Sequence, residues 1–350
     1  MSDLDVRVAP ETGPRRAPLP RATLVRAVGL LVVAGLLFFV VLLSISVGAQ
    51  NLPLGTVWHA LWSGAHDYDS KVILDLRMPR TLVGVAVGVA LGLAGTLMQA
   101  LTRNPLADPG ILGVNSGAAC AVVVAVAYLG LGSPLSYVWF AFLGAGIASL
   151  VVYLLGFRGS VGPVRLALAG TAVSAVLGGL TSTVLVRDAA TLEVVRLWQV
   201  GSLAGRDPSV TWQLLPFLVV GAVLALAVAA PLNALALGDE LGGALGVRTG
   251  VTRVLTGISV ILLCGTATAI AGPIGFVGLV VPHAVRIVSG PDQRWLMAYS
   301  MLVAPVLLVG ADIVGRFVVR PGELEVGVMT AVIGAPLFIA LVRSRKKVRL

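Results

Sequence analysis

RMPRTLVGVAVGVALGLAGTLMQALTRNPLADPGILGVNSGAA, residues 77–119, decides how this 350-residue chain is read. It opens on Arg77 and Arg80, three residues apart, and continues through small and apolar residues without a charge as far as Thr102. A bilayer core takes roughly 20 apolar residues of helix, so this half reads as a membrane span. The run then breaks at TRNPLADPG and resumes as apolar sequence. Prolines end helical hydrogen bonding, and a polar break with two of them does more than turn the chain around. It implies a function at that end of the helix.

Composition agrees with a chain dissolved in lipid. Hydrophobic residues make up 57% and charged ones only 12%, against about 25% charged in soluble domains. Mean hydropathy is +0.99. The 42 glycines suit helices that pack backbone to backbone in a membrane. In a soluble protein a pI near 10.4 would point to nucleic acid. Here the positive charge is assigned to membrane topology, and no nucleic-acid partner is expected. Cys120 and Cys264 lie inside apolar runs and read as small buried hydrophobes.

Working outward from residues 77–119, apolar runs cover 24–48, 81–101, 111–131, 135–156, 165–186, 212–236, 252–271, 273–289, 297–317 and 326–342. They predict an all-α, polytopic protein of the cell (cytoplasmic) membrane with about ten transmembrane helices. Residues 1–23, rich in proline and charge, read as a disordered cytoplasmic tail, 24–342 as the transmembrane domain and 343–350 as a basic cytoplasmic tail. Cytoplasmic loops collect Lys and Arg, and the bias places both termini inside. The bases then left outside are Lys71, Arg77, Arg80, Arg187, Arg196, Arg206, Arg316 and Arg320, which need another reason to be there.

The chemistry of an enzyme is missing. The lysines are Lys71, Lys346 and Lys347, none followed by Ser or Thr, so there is no P-loop. His59, His66 and His283 are far apart and lack the spacing of a metal site. Inside the spans, Asp312 and Arg316 stand out: four apart on one helical face, they are placed to pair. The loop ALGDELGGALGVRTGVTR carries Leu237, Leu241, Ala244, Leu245 and Val247 at spacings that suit one or two small amphipathic helices docking a partner.

At this point the residues resemble a family. RMPRTLVG, GLAGTLMQALTRNPLADPGILGVNSGA, LALAGTAVSAVL, LGVRTG, GPIGFVGLVVPHAVRIV, ADIVGR and IGAPLFIALVR look like the permease subunit of the FecCD family of ATP-binding-cassette importers. The resemblance runs from about residue 25 to 342. LTRNPLADPGILGVN, PVRLALAGTAVSAVLGGLTS, LWQVGSL and PGELEVGV are most similar to its ferric-enterobactin branch. It implies the type II importer permease fold seen in vitamin B12 importers, and transport of a ferric siderophore of the catecholate type. The alternatives are haem or cobalamin in the same family and, from another class, an ion-gradient-driven secondary transporter.

The family resemblance also implies a division of labour. A second permease chain, paralogue or copy, shares the pore. Two ATPase subunits bind ATP, so this chain holds no cofactor, and a siderophore-binding protein docks outside through carboxylates on Arg77, Arg80 and Arg316. The loop Leu237–Arg253 is the ATPase-coupling element, two short helices carrying Asp239, Glu240, Leu241, Ala244, Leu245, Gly246, Val247 and Arg248. Asn104 and Leu106 form the cytoplasmic gate; at the second gate element this chain has Gly162, Pro163 and Val164 where some family members have Ser and Thr. Glu193–Leu203 is a short periplasmic helix. Spans two, five and eight line the pore, with Gln99, Asn115, Ser116, Thr171 and Ser174 as polar points.

Overall fold

The computed structural model describes residues 20–48, 52–63, 67–156, 163–319 and 322–346. The tail 1–19, Gly162, His66, Arg320 and the end of the basic tail lie outside these. Within them every regular element is a helix. In chain order these are α1 (Pro20–Ser46), α2 (Leu54–Ser63), α3 (Tyr68–Lys71), α4 (Met78–Leu101), α5 (Val114–Leu129), α6 (Pro134–Gly156) and α7 (Pro163–Arg187). Then follow α8 (Ala189–Val200), α9 (Pro208–Leu235), α10 (Asp239–Ala244), α11 (Thr249–Ala271), α12 (Val277–Ser289), α13 (Gln293–Val318) and α14 (Val326–Lys346). A π-helical stretch, Val72–Arg77, joins α3 to α4, and a 3-10 turn, Pro109–Leu112, precedes α5.

Among the described residues, 7 helices have the length and apolar character of a span, and α5, α12 and α14 are shorter apolar ones. The expected runs all become helix, with two corrections. The first helix starts at Pro20, before the boundary expected at residue 24. The run 273–289 is not a full span: α12 has 13 residues, about 20 Å, too short to cross a bilayer core alone. Its expected first turn is broken by Gly272 at φ 77°, by Pro273 and by Phe276 at φ 67°.

Helix α4 is the centre of the protomer, packed on α13, α11, α12 and α9. The most apolar window of Tyr68–Leu101 is 78% buried, against 11% for that of Val164–Arg187. Glycines make the core possible. A Cβ on Gly88 would lie 2.6 Å from Pro305 Cα, and one on Gly92 would lie 2.5 Å from the Ser300 carbonyl, so α13 crosses α4 at backbone contact. A Cβ on Gly95 would reach 2.0 Å from the Gly278 carbonyl of α12. Small residues allow this approach where lipid gives no hydrophobic force between helices.

Helix starts follow ordinary capping rules. Asp188, Asp207 and Asp292 accept from the first amides of α8, α9 and α13, each satisfying donors that a helix start leaves open. Helix α8 is the short helix expected near residues 193–203, beginning a little earlier; Trp198 anchors it, donating through Nε1 to the Ala269 carbonyl (3.3 Å).

Candidate functional site

Helix α4 has 24 residues, about 36 Å, so its ends are a membrane thickness apart. Both ends carry charge clusters. At the first, Arg80 donates to Asp312 through Nε (3.1 Å to Oδ2) and Nη2 (2.8 Å to Oδ1). Its Nη1 donates to Glu323 (2.6 Å). Arg316, one turn beyond Asp312 on α13, donates to the same carboxylate through Nε (3.1 Å) and through Nη2. The pairing of Asp312 with Arg316 expected from their spacing is present, and Arg80 joins it.

The rest of this cluster corrects the expectation of three outward-facing arginines. Arg77 is 7% exposed and Arg316 3%. Arg77 Nη1 donates to the carbonyls of Ile45 (2.9 Å) and Ser46 (2.8 Å), and Arg316 Nη1 to those of Ser44 (2.8 Å) and Val47 (3.1 Å). These are the carbonyls that the C-terminus of α1 leaves without intrahelical partners, and cations are favoured there. Two of the three guanidiniums are therefore occupied in holding α1 to the core.

Arg80, with the exposed Glu323 beside it, keeps an outward edge. It lines a cleft of about 380 Å³ with Arg77, Arg206, Arg316, Asp75 and Glu323. Arg206 is fixed by its Nε to the Ser202 carbonyl (2.9 Å), and burial pushes its pKa down. Glu323 is a member of this site that the sequence reading did not include, and Arg206 was there only one of the outside bases without an assigned role. The signal available was their place in short polar breaks, PGELE and AGRDP, between apolar runs.

At the other end of α4 the chain turns through Arg103 into the hinge. Asn104 Oδ1 accepts from the Leu106 amide (3.0 Å), and Asp108 Oδ1 from the Gly110 amide (2.7 Å), so the two polar side chains shape the Pro105 and Pro109 turns. Leu106 is exposed and Asn104 half-buried. The coupling loop reaches this point: Asp239, first residue of α10, accepts from Arg103 and, at 2.7 Å, from Arg253 of α11. Burial works against ionisation of Asp239. Hydrogen bonds from Arg253 and then Arg103 outweigh it, and hold the carboxyl below its ordinary range.

The loop contains one short helix, within the one or two expected from its residues and one fewer than the family resemblance implied. Gly246, at φ 83°, ends it, and α11 starts at Thr249. Asp239, Glu240, Leu241, Ala244, Leu245, Gly246 and Arg248 are exposed or partly so, and Val247 is half-buried. Leu237, Leu241 and Leu245, four apart, are all more than half exposed.

The expected pore points separate. Gln99, on buried α4, is 2% exposed. Its Nε2 donates to the Leu279 carbonyl (3.1 Å), and its Oε1 accepts from Arg286 (3.2 Å), so it ties α4 to α12 and is not on an open surface. Asn115 Oδ1 accepts from Thr268 (3.0 Å), joining α5 to α11, with Ser116 half-buried beside it. Thr171 is exposed and Ser174 half-buried on α7, the outward helix. Of the second gate element, Gly162 lies outside the described residues and Val164 is exposed at the start of α7.

Comparison with known proteins identifies the family and the fold. The model of the FecCD transport family matches residues 36–344. Ferric enterobactin transport system permease protein FepD of Escherichia coli (strain K12) is 46% identical over 321 residues, 90% of this chain and 96% of FepD. The Fe(3+)-citrate import system permease protein YfmD of Bacillus subtilis (strain 168) is 39% identical over 309 residues, 88% of this chain and 92% of YfmD. A solved inward-facing conformation of a metal-chelate type ABC transporter aligns with a TM-score of 0.78 at 28% identity, covering 91% of this chain and 99% of that one. The chain is a multi-pass membrane permease and belongs to the FecCD transport family.

Proposed function

We propose that this chain is the membrane permease of an ATP-driven importer for a ferric siderophore, with a catecholate complex as its cargo. The observation that carries the proposal is the 46% identity to a ferric enterobactin permease along nearly the whole of both chains. The two ends of α4 support it. The outer cleft is rich in arginine, and guanidinium grips carboxylates in a fixed fork, which suits a siderophore-binding protein docking there. The inner end presents the exposed leucines of α10 and its flanks, which suits ATPase subunits that bind ATP in place of a chain without a P-loop. The exposed, small-residue α7 suits packing beside a second permease chain, copy or paralogue, across the transport path.

Docking is assigned here chiefly to Arg80, since Arg77 and Arg316 hold α1. Substrate class is tested by uptake in cells whose own siderophore permeases are deleted and which carry this chain with its neighbouring ATPase and binding protein. Iron supplied as a catecholate complex is expected to enter, and iron as a hydroxamate to enter far more slowly. Uptake of haem or cobalamin without ferric catecholate would replace the proposal.

A further inference from the structure

The hinge after α4 and the short helix α10 are joined by charge. Helix α4 ends in a Schellman turn: the Asn104 amide donates to the Gln99 carbonyl (3.2 Å), and Arg103 occupies the left-handed position at φ 50°. That position favours glycine, and an L side chain held there is strained. Among the described residues, Phe276 is the other non-glycine residue with positive φ. The Arg103 side chain has a use that glycine would lose. Its Nη2 donates to Asp239 Oδ1, while Arg253 Nη2 donates to Oδ2 at 2.7 Å. One carboxylate thus gathers the end of α4, the start of α10 and the first turns of α11, although Arg103 and Asp239 are 136 positions apart in sequence.

Helix α10 is a short piece between two glycines, seated on α9 through the buried Gly242. It has 6 residues, and it is bounded by Gly238 at φ 117° and Gly246 at φ 83°. Its hydrogen bonds close on themselves, from the Gly242 amide to the Gly238 carbonyl (2.9 Å) and from the Val247 amide to the Gly242 carbonyl (3.1 Å). Glycines at both ends let such a piece swing without steric cost.

We infer that Asp239 is a positioning residue that transmits displacement of α10 to the Asn104–Pro109 hinge through Arg103, with Arg253 keeping α11 in step. The inference rests on the ATP-driven reading above. The group is suited to this role. About half of the Asp239 and Arg103 side-chain surface is exposed, so the contact is weak enough to break and re-form. Two guanidiniums on one carboxylate also fix its direction. The link biases the hinge without locking it.

Arg103→Gly is the decisive variant, because it removes the guanidinium while relieving the left-handed strain, and the fold is expected to be kept. The test uses proteoliposomes holding the full complex with its ATPase subunits and a binding protein loaded with ferric enterobactin. Iron delivered per ATP hydrolysed is expected to fall about fivefold in Arg103→Gly, equivalent to about 1 kcal/mol, with ATPase binding unchanged. Asp239→Asn is expected to lower the iron-to-ATP ratio by a similar factor, the double variant to add little to either, and Arg103→Lys to restore most of the ratio. An unchanged ratio in Arg103→Gly, or losses that add in the double variant, overturns the link while leaving the transport reading intact. A wild-type complex that hydrolyses ATP and delivers no iron overturns both.

Discussion

Arg80 of α4 and Arg316 of α13 share the Asp312 carboxylate, which is 1% exposed, and so lock the two most closely packed helices at their outer ends. Arg316 has this one buried anion as its ionic partner, and Arg80 shares it while also pairing with the exposed Glu323. Removing one partner of a buried ion pair leaves uncompensated charge and costs on the order of 3–5 kcal/mol. Asp312→Ala is therefore expected to lower the melting temperature in detergent sharply, and Asp312→Asn less, since the amide still accepts hydrogen bonds. A variant that melts with the wild type would mean that the cluster contributes nothing to folding.

Gly95 and the pair Gly178–Gly179 separate packing glycines from permissive ones. A Cβ on Gly95 meets the backbone of Gly278, which cannot rotate away, whereas one on Gly178 or Gly179 meets nothing within 4 Å. Gly95→Ala is expected to destabilise by about 1–3 kcal/mol or more through overpacking. Gly178→Ala and Gly179→Ala should leave the isolated chain unchanged. Melting temperature and the monodisperse fraction after purification report the difference.

Glu323 competes with any incoming carboxylate for Arg80, to which it pairs at 2.6 Å while 40% exposed. Glu323→Gln is expected to tighten association of the binding protein about two- to threefold at low salt, and Arg80→Glu to weaken it more than about tenfold. Binding to nanodisc-embedded complex measures both. If neither changes, the binding protein docks away from this cleft.

The stripe Leu237, Leu241 and Leu245 is exposed on α10 and its flanks. Leu241→Asp with Leu245→Asp is expected to abolish co-purification of the ATPase subunits while leaving the melting temperature of the isolated chain within about 1 °C, because surface changes rarely move stability. Retained co-purification would place ATPase docking elsewhere.

Asp239 also makes a pH prediction. Its carboxyl titrates below the ordinary aspartate value of 3.8, so the stabilisation is present above that value and is lost as pH falls through the lower folded one. The difference in melting temperature between wild type and Asp239→Asn is expected to be flat from about pH 8 to 5 and to shrink only below the ordinary aspartate range. A difference that changes between about pH 5 and 8 would show that Asp239 is not held by its arginines.

Much of the fold was legible because membrane helices announce themselves by length and apolarity: the spans around α4, α6, α9, α11 and α13 follow directly from their runs. The orientation of each helix within the bundle was not. Lipid and protein core are equally apolar, so Gln99 on buried α4 and Thr171 on exposed α7 look alike in sequence. Arg77 and Arg316 were expected to face outward because the family resemblance implied it. The partners found were the unpaired carbonyls at the end of α1, which depend on how α1 meets α4 and α13. Asp312 with Arg316 was legible from its helical spacing. Asp239 with Arg103 was not, because no local period joins positions so far apart.

The most direct measurement is iron uptake by proteoliposomes containing this chain with its ATPase subunits, siderophore-loaded binding protein on one side and ATP on the other. Accumulation is expected only when ATP and the binding protein are both present, and none when the chain is reconstituted alone with a proton or sodium gradient. Gradient-driven accumulation by the chain alone, without ATPase or ATP, would contradict the account.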